Sequence, residues 1–393
     1  MFGCALTVIH VTNGGNLAPI DQSERGRPWS VKRLPRVLWI CDRSVEAGGI
    51  ACSLYDLCPA LSTACDVVFA APRNAMFPRL EALGATVHKN LPTFPKARGY
   101  VWSLMSCFAI LRLAIRLKPR IVVADHTNGL WLLLFLKAIR FPSKAIYRNH
   151  GVGFLTNRPF LTRLIYRGVD RIITVSQPEA DALQRLINRP VDLVPNCLPA
   201  HCLTVRPVQE VRKDPQSPRI AYVGWLNRAK GIYDFMNIIA EIRKDLPGAQ
   251  GIAIGRVALE RSSEDSREDL LARMRAAGVD YLGELPRENI FREIDFLLVC
   301  SSRESFGLTV LEAPFSGTIP IAYDSPGTHF LLGSVPECLV ENGQSEQMKE
   351  AVLRLWRDLE ARSELCERLR TQFLRQFDPN LLAGRLVAGF VSN

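Results

Sequence analysis

Glu304 and Glu312 stand eight residues apart within D-F-L-L-V-C-S-S-R-E-S-F-G-L-T-V-L-E-A-P-F-S-G-T-I-P-I-A-Y-D-S-P-G, the stretch from Asp295 to Gly327 of a 393-residue chain. The pattern places Glu304 and Ser305 in a loop and Glu312 on a short helix over 306–315, which ends before Gly317. The backbone N–H groups of Gly307, Leu308 and Thr309 then fall in the first helical turn, where they lack intrahelical partners and suit a diphosphate. Carboxylates accept hydrogen bonds and do not donate them, so a glutamate on each side of such an anion site suits sugar and ribose hydroxyls. The combination points to a nucleotide diphosphate-sugar. A pair of glutamates alone is more often one solvated loop charge and one surface helix charge, so the surrounding residues must decide.

Those residues read as alternating strands and helices. Phe296–Val299 and Ile319–Ala322 are apolar runs of strand length on either side of the loop and helix, a unit of a parallel sheet. In such sheets, ligands sit where a strand's carboxyl end leads into a helix. Upstream, the run Val37–Cys41 leads through Gly48-Gly49 into a helix from about Ile50 to Leu61. Two glycines there let the backbone approach a ligand, although a plain tight turn is the commoner cause. Val67–Ala70, Val87-His88, Ile121–Ala124, Ala145–Tyr147 and Ile172–Val175 read as further strands. His126 follows Ile121–Ala124 and His150 follows Ala145–Tyr147, both at strand carboxyl ends. A second series starts at Ile220 with I-A-Y-V-G-W-L-N-R-A-K-G, in which Lys230 stands at a helix entrance facing a phosphate position. Ile252–Gly255 and Tyr281–Leu285 follow, then helical stretches over 344–376 and Pro379–Val391.

E-S-F-G-L-T-V-L-E-A followed by G-T-I-P-I-A resembles the E-x7-E signature of the family-four retaining glycosyltransferases, and Phe306, Gly307, Ala313, Gly317 and Pro320 also fit that pattern. The resemblance implies an α/β, GT-B fold: two Rossmann-like parallel-sheet domains facing a central cleft. It covers residues 36–391, strongly in the second half and diffusely in the first. The implied organisation is an N-terminal extension (1–34), an acceptor-side domain (35–197), a linker (198–218), a donor-binding domain (219–376) and a C-terminal helix crossing back (377–393). D-L-V-P-N-C (192–197) matches the segment leading out of the first domain, with Cys197 where the family has glycine. Gly224, Leu226, Lys230 and Gly231 are in register with G-R-L-x-x-x-K-G, but Trp225 replaces the arginine that shares the diphosphate, and Arg228 is the nearby substitute. By resemblance Glu312 holds ribose hydroxyls, Glu304 donor-sugar hydroxyls, Lys230 the diphosphate, and His150 the donor sugar from the other domain. Gly48, Gly49, Gly224, Arg228, Leu285 (in Y-L-G-E-L, beside the base), Ser305, Phe306, Gly307, Leu308 and Thr309 complete the expected donor site.

The implied activity is transfer of a sugar, with retention, to a glycan or lipid-linked acceptor in cell-envelope polysaccharide or lipopolysaccharide synthesis. No two aspartates are two residues apart, so the D-x-D metal pair is missing. That fits a reaction without a metal, the nucleotide-sugar being substrate and no cofactor being needed. Two other readings share the fold: a sugar-nucleotide hydrolase or epimerase, and a non-catalytic binding protein, the latter suggested by Trp225 and Cys197.

Composition sets the bounds. A hydrophobic content of 48% and a charged content of 22% are those of a globular protein of two domains. No apolar run reaches the roughly 18 residues of a membrane span. The first residues lack a basic region, and eleven scattered cysteines form no framework, so a cytosolic, reduced protein is expected. Residues 1–200 carry 25 Lys and Arg against 12 acids, and residues 201–393 carry 24 against 27. Nucleic acid is the weakest partner for that basic half, because no recognition motif accompanies it. An anionic membrane surface, worth about 1 kcal/mol per nearby Lys or Arg, and a plain solvated face fit it about equally. The basic residues over 98–120 and 137–148, beside Leu130–Leu136, would make the membrane approach. The helix over 101–117, with Arg112 and Arg116, suits a membrane-lying or, more commonly, a core-packed helix.

Overall fold

The computed structural model describes residues 35–41, 48–72, 76–91, 99–125, 127–151, 159–204, 217–259 and 265–391. The expected extension (1–34), His126 and most of the linker lie outside them.

Runs of Val, Ile and Leu without polar alternation make strands that must be covered on both faces. In the first half these are β1 (Arg36–Ile40), β2 (Asp66–Pro72), β3 (Thr86–Leu91), β4 (Ile121–Ala124), β5 (Lys144–Asn149), β6 (Arg171–Thr174) and the short β7 (Asp192–Leu193). They pair in parallel in the order β3-β2-β1-β4-β5-β6-β7. The two faces sort by residue parity. Leu38 and Ile40 pack with Val122 and Ala124 under α3 (Gly99–Leu117), α4 (Thr127–Ala138) and α5 (Pro159–Arg167). Val37 and Trp39 belong to the core of the opposite face, with α1 (Gly49–Ala64). Two further helices of this half are α2 (Met76–Ala82) and α6 (Gln177–Ile187). A one-turn helix, α7 (Ala200–Leu203), lies inside the expected linker.

The second half repeats the plan with β8 (Arg219–Val223), β9 (Gln250–Ile254), β10 (Val279–Gly283), β11 (Phe296–Val299), β12 (Ile319–Tyr323) and β13 (Leu339–Val340), parallel in the order β10-β9-β8-β11-β12-β13. Its helices are α8 (Ile232–Asp245), α9 (Arg267–Ala276), α10 (Leu308–Glu312), α11 (Pro326–Leu332), α12 (Ser345–Arg357) and α13 (Leu359–Gln376). The expected single helical stretch over 344–376 is two helices, because Asp358 breaks the first and caps the second through Ala361 N–H at 2.9 Å. The chain then crosses back as α14 (Pro379–Val391), whose Leu382, Leu386 and Phe390 are buried in the core shared with α1. The connecting segments meet where Leu198 N–H donates to Phe377 C=O at 2.9 Å.

Leu130, Leu132, Leu133 and Leu136 face the sheet, which corrects the expectation that this run lies at the surface beside the basic residues. No helix among the described residues is long and apolar enough to cross a membrane.

Candidate functional site

In the second sheet the strand order reverses between β8 and β11, and such a reversal opens a crevice at the strands' carboxyl ends. The loop after β8 carries Lys230 and the loop after β11 carries Glu304, so residues 74 apart in sequence meet there. Lys230 Nζ donates to Glu304 Oε2 at 2.7 Å, with both side chains partly open to solvent. Glu304 is therefore not a solvated loop charge.

Local chemistry builds each half of this pair. Asn227 caps a 3-10 turn over Arg228–Lys230 by accepting from Lys230 N–H at 2.9 Å. Gly231 then turns the chain with φ +80°, and a Cβ there would overlap the Cys300 carbonyl at the end of β11. That close approach is the physical reason for Lys-Gly at this point. On the other side Glu304 C=O accepts from Gly327 N–H at 2.7 Å, which braces the loop against the start of α11. Gly307, with φ +96°, caps α10. This α-helix is five residues long, starts at Leu308 rather than 306, and continues as a 3-10 turn over Ala313–Ser316. Its dipole is correspondingly small, and Lys230 supplies the full positive charge.

The first half comes close from the opposite wall. A Cβ on Gly49 would lie 3.7 Å from Leu308 Cδ1, and one on Gly151 would lie 3.1 Å from Ser305 Oγ. Gly48 precedes this contact as the N-cap of α1. His150 sits at the end of β5, with Nε2 3.7 Å from Asp125 Oδ1, and Trp39 Nε1–H donates to Asp125 Oδ2 at 2.7 Å. Asp125 is buried at the end of β4 and places a carboxylate beside the imidazole. Two residues before His150, buried Arg148 donates to Asn196 Oδ1 at 2.8 Å, which ties β5 to the P-N-C segment. Cys197 is buried and is not among the non-glycine residues with positive φ, so the family glycine is replaced without backbone strain.

Glu312 lies deeper than a surface helix charge. It is 4% exposed and sealed by Arg287, whose Nη2 and Nε donate to Oε1 at 2.6 Å and Oε2 at 2.8 Å. Arg287 Nη1 reaches across to Asp56 Oδ1 on α1 at 2.8 Å, and His201 Nε2 lies 3.6 Å from Glu312 Oε2. One guanidinium thus joins both halves. Burial alone would push the Glu312 carboxyl up; Arg287 and His201 more than offset it and hold it below the usual range. Burial pushes Asp56 up to about 6 against the pull of Arg287. Burial opposes the Arg287 charge, but Glu312 and Asp56 outweigh it and drive its proton affinity above normal. In this arrangement the carboxylate expected to meet ribose is occupied, and a surface helix charge is ruled out as well.

Other expected residues divide into those at the cleft and those behind it. The Phe306 side chain is buried against Phe330 and Phe377, which leaves its backbone as the part that could meet a ligand. Leu285 packs against the small core of Ala221, Ile252, Ile254 and Ile294. The Arg228 guanidinium stacks 4.7 Å over the Tyr233 ring on α8. Trp225 is 49% exposed, and its carbonyl accepts from Tyr222 Oη at 2.6 Å. Gly224 ends β8 with an open face towards the crevice. Leu308 and Thr309 form the half-exposed first turn of α10. Asp56, Arg287 and His201 were not singled out from sequence. Asp125 was visible only as an acid at a strand's carboxyl end.

Two Rossmann-like parallel-sheet halves facing a cleft define the GT-B class. The chain belongs to its family-four, group 1 glycosyltransferases: the model of Glycosyltransferase Family 4 matches residues 47–200, and that of Glycosyl transferases group 1 matches residues 217–358. It is 30% identical over 178 residues to a trehalose synthase of Pyrococcus horikoshii, covering 41% of each chain. It is 28% identical over 202 residues to the 2-deoxystreptamine N-acetyl-D-glucosaminyltransferase of Streptomyces fradiae, covering 48% of each. The chain thus spans less than half the length of the curated relatives it matches. Among solved structures it resembles Anabaena HepE in complex with UDP and glucose, with a TM-score of 0.73 at 16% identity over 91% of this chain and 99% of that one.

Proposed function

We propose that the chain transfers a sugar, with retention at the anomeric carbon and without a metal, from a nucleotide diphosphate-sugar to a glycan or lipid-linked acceptor on the cytoplasmic side of the cell envelope. The observation that carries this reading is the Lys230–Glu304 pair at the strand-order reversal, beside the point where Gly151, the residue after His150, approaches Ser305. Charge builds on the diphosphate as the bond to the sugar loosens. Lys230 lies ready to compensate it, held by Glu304 until a diphosphate competes for its ammonium. Glu304, released, accepts from sugar hydroxyls. His150, with the Asp125 carboxylate beside it, meets the sugar from the first half. Ribose reaches Glu312 only after Arg287 yields one of its two bonds, so donor entry and the joint at Asp56 are linked. The UDP and glucose bound in HepE support the donor class.

A thermal-shift screen of UDP-, GDP- and ADP-sugars, in excess EDTA, tests the reading. One nucleotide class should raise the melting temperature by mass action, and transfer should persist in EDTA. Lys230→Ala should lower kcat by about tenfold or more while changing donor affinity less, because its charge matters most in the transition state. No shift with any nucleotide-sugar, together with a Lys230→Ala variant that turns over like the parent, would remove the donor-site assignment.

A further inference from the structure

The layer of α3, α4 and α5 covers one face of the first sheet, and its inner side is ordinary core: Ile110, Leu113, Leu133, Leu136 and Ile165 are all buried. Its outer side is apolar as well. On α3, Met105, Phe108 and Ile115 are exposed at spacings that share one face with exposed Arg112 and Arg116. On α4, Trp131 points outward between buried Leu130 and Leu132. On α5, Phe160 is 79% and Leu164 59% exposed, flanked by exposed Arg163 and Arg167. These helices are neighbours: α3 touches α4, and a Cβ on Gly168 beyond α5 would overlap Leu134 of α4. A helix that is apolar on both sides expects a partner on the second.

Charge says which partner. The exposed charges on these helices are Arg112 and Arg116 of α3 and Arg163 and Arg167 of α5, while Asp125 is buried beneath Trp39 and His150 and Asp170, just beyond α5, is paired with Lys137 of α4 at 2.8 Å. The outer face of this layer therefore carries aromatic and aliphatic side chains among arginines, and the partly exposed acid at its edge, Asp170, is already neutralised by Lys137. Protein partners of mixed charge do not need that one-sidedness, whereas an anionic lipid surface does: arginines meet headgroups while aromatic rings enter the acyl boundary. We infer that the α3–α5 face docks on an anionic bilayer surface. The amino ends of these helices follow the carboxyl ends of β3, β4 and β5, the edge where Asp125 and His150 stand. Docking there brings the first half's wall of the cleft close to the membrane, which suits the lipid-linked acceptor of the reading above. The leucine run of α4 is not the contact, since it faces the sheet.

The test is co-sedimentation of the full chain, without donor, with phosphatidylcholine vesicles and with vesicles that also contain phosphatidylglycerol. Because neither donor nor turnover enters the readout, failure here is separate from failure of the transferase reading. Binding is expected to the anionic vesicles only, weakening as salt shortens the Debye length to about 8 Å and below. Phe108→Ser with Phe160→Ser should reduce partitioning about tenfold or more, and Arg112→Glu with Arg116→Glu should abolish it. Leu374→Ser, at an exposed leucine on α13 in the second half, should bind like the parent. Melting temperatures within about 2 °C of the parent would confirm that these exposed substitutions leave the fold intact. The inference is overturned by absence of binding to either vesicle, by equal binding to both, or by face variants that bind like the parent. It is also overturned if analytical ultracentrifugation shows a dimer that the Phe108/Phe160 variant converts to monomer, since the face would then cover a second copy of this chain.

Discussion

Arg287 is the residue on which the site's two halves depend most directly. Its three nitrogens engage two carboxylates, one on each wall of the cleft, and all three groups lie almost out of water. Removing one member of such a cluster leaves the others charged and uncompensated, so Arg287→Ala should cost roughly 3–5 kcal/mol in urea unfolding. Arg287→Lys should recover only part of this, because an ammonium cannot reproduce the fork to Glu312. An alanine variant as stable as the parent would show the cluster to be energetically idle. The same cluster sets a pH dependence. The folded pKa of Asp56, about 6, lies above its ordinary 3.8. Its contribution to stability is therefore complete below 3.8 and is lost as pH rises through about 6. Glu312 is shifted the other way, so its contribution is present above its ordinary range and is lost on acidification. Asp56→Asn keeps an oxygen for Arg287 and removes the first titration. Its melting temperature plotted against pH should be less sloped than the parent's between 4 and 6; parallel curves would contradict the assignment.

At the scale of elements, the site is made by turns that end strands. Lys230 is placed by a 3-10 turn and a glycine, and Glu304 by a loop braced on Gly327. The two constraints on Gly231, its positive φ and the overlap a Cβ would make with Cys300 C=O, can be separated by comparison with Gly343. Gly343 has φ +82° and open space around it. Gly343→Ala should cost about 1 kcal/mol, the conformational strain alone. Gly231→Ala should cost clearly more and should also reduce turnover, since relieving the overlap moves Lys230 away from Glu304. Equal melting temperatures for the two variants would show that the close approach to β11 is not required.

For the whole molecule, the return of α14 to the first half matters as much as either sheet. Phe377, at the start of the crossing, packs against Phe306, Phe330 and Phe373, while the crossing helix shares a core with α1. The loop of Glu304 is thereby tied through Phe306 to the segment that joins the halves. Phe377→Ala should destabilise by about 3–5 kcal/mol and, below its melting temperature, lower transfer by loosening the Phe306 loop. Chemical denaturation and steady-state kinetics on the same preparation check this. A destabilised variant with unchanged kcat and donor KM would separate the crossing from the site.

The strands, the Lys-Gly turn, the glycine cap of α10 and the family signature are local properties, and the chain carries them openly. Apolar runs of four or five residues bounded by turn formers are too short for a buried helix and read as buried strands, and the Gly of E-S-F-G-L-T-V-L-E marks the loop-to-helix turn by its own backbone needs. What folding alone decided is which groups meet and which way side chains turn. Asp56 and Arg287 are separated by 231 positions, and nothing near either residue announces the other. Glu312 reads as an open helix charge until α1 and the loop after β10 close over it. The leucines beside Trp131 read as a surface run until the sheet claims Leu130, Leu132 and Leu133 and leaves the tryptophan outside. Periodicity can report that a face exists, but burial and charge pairing depend on distant elements, and only the packed chain brings those elements together.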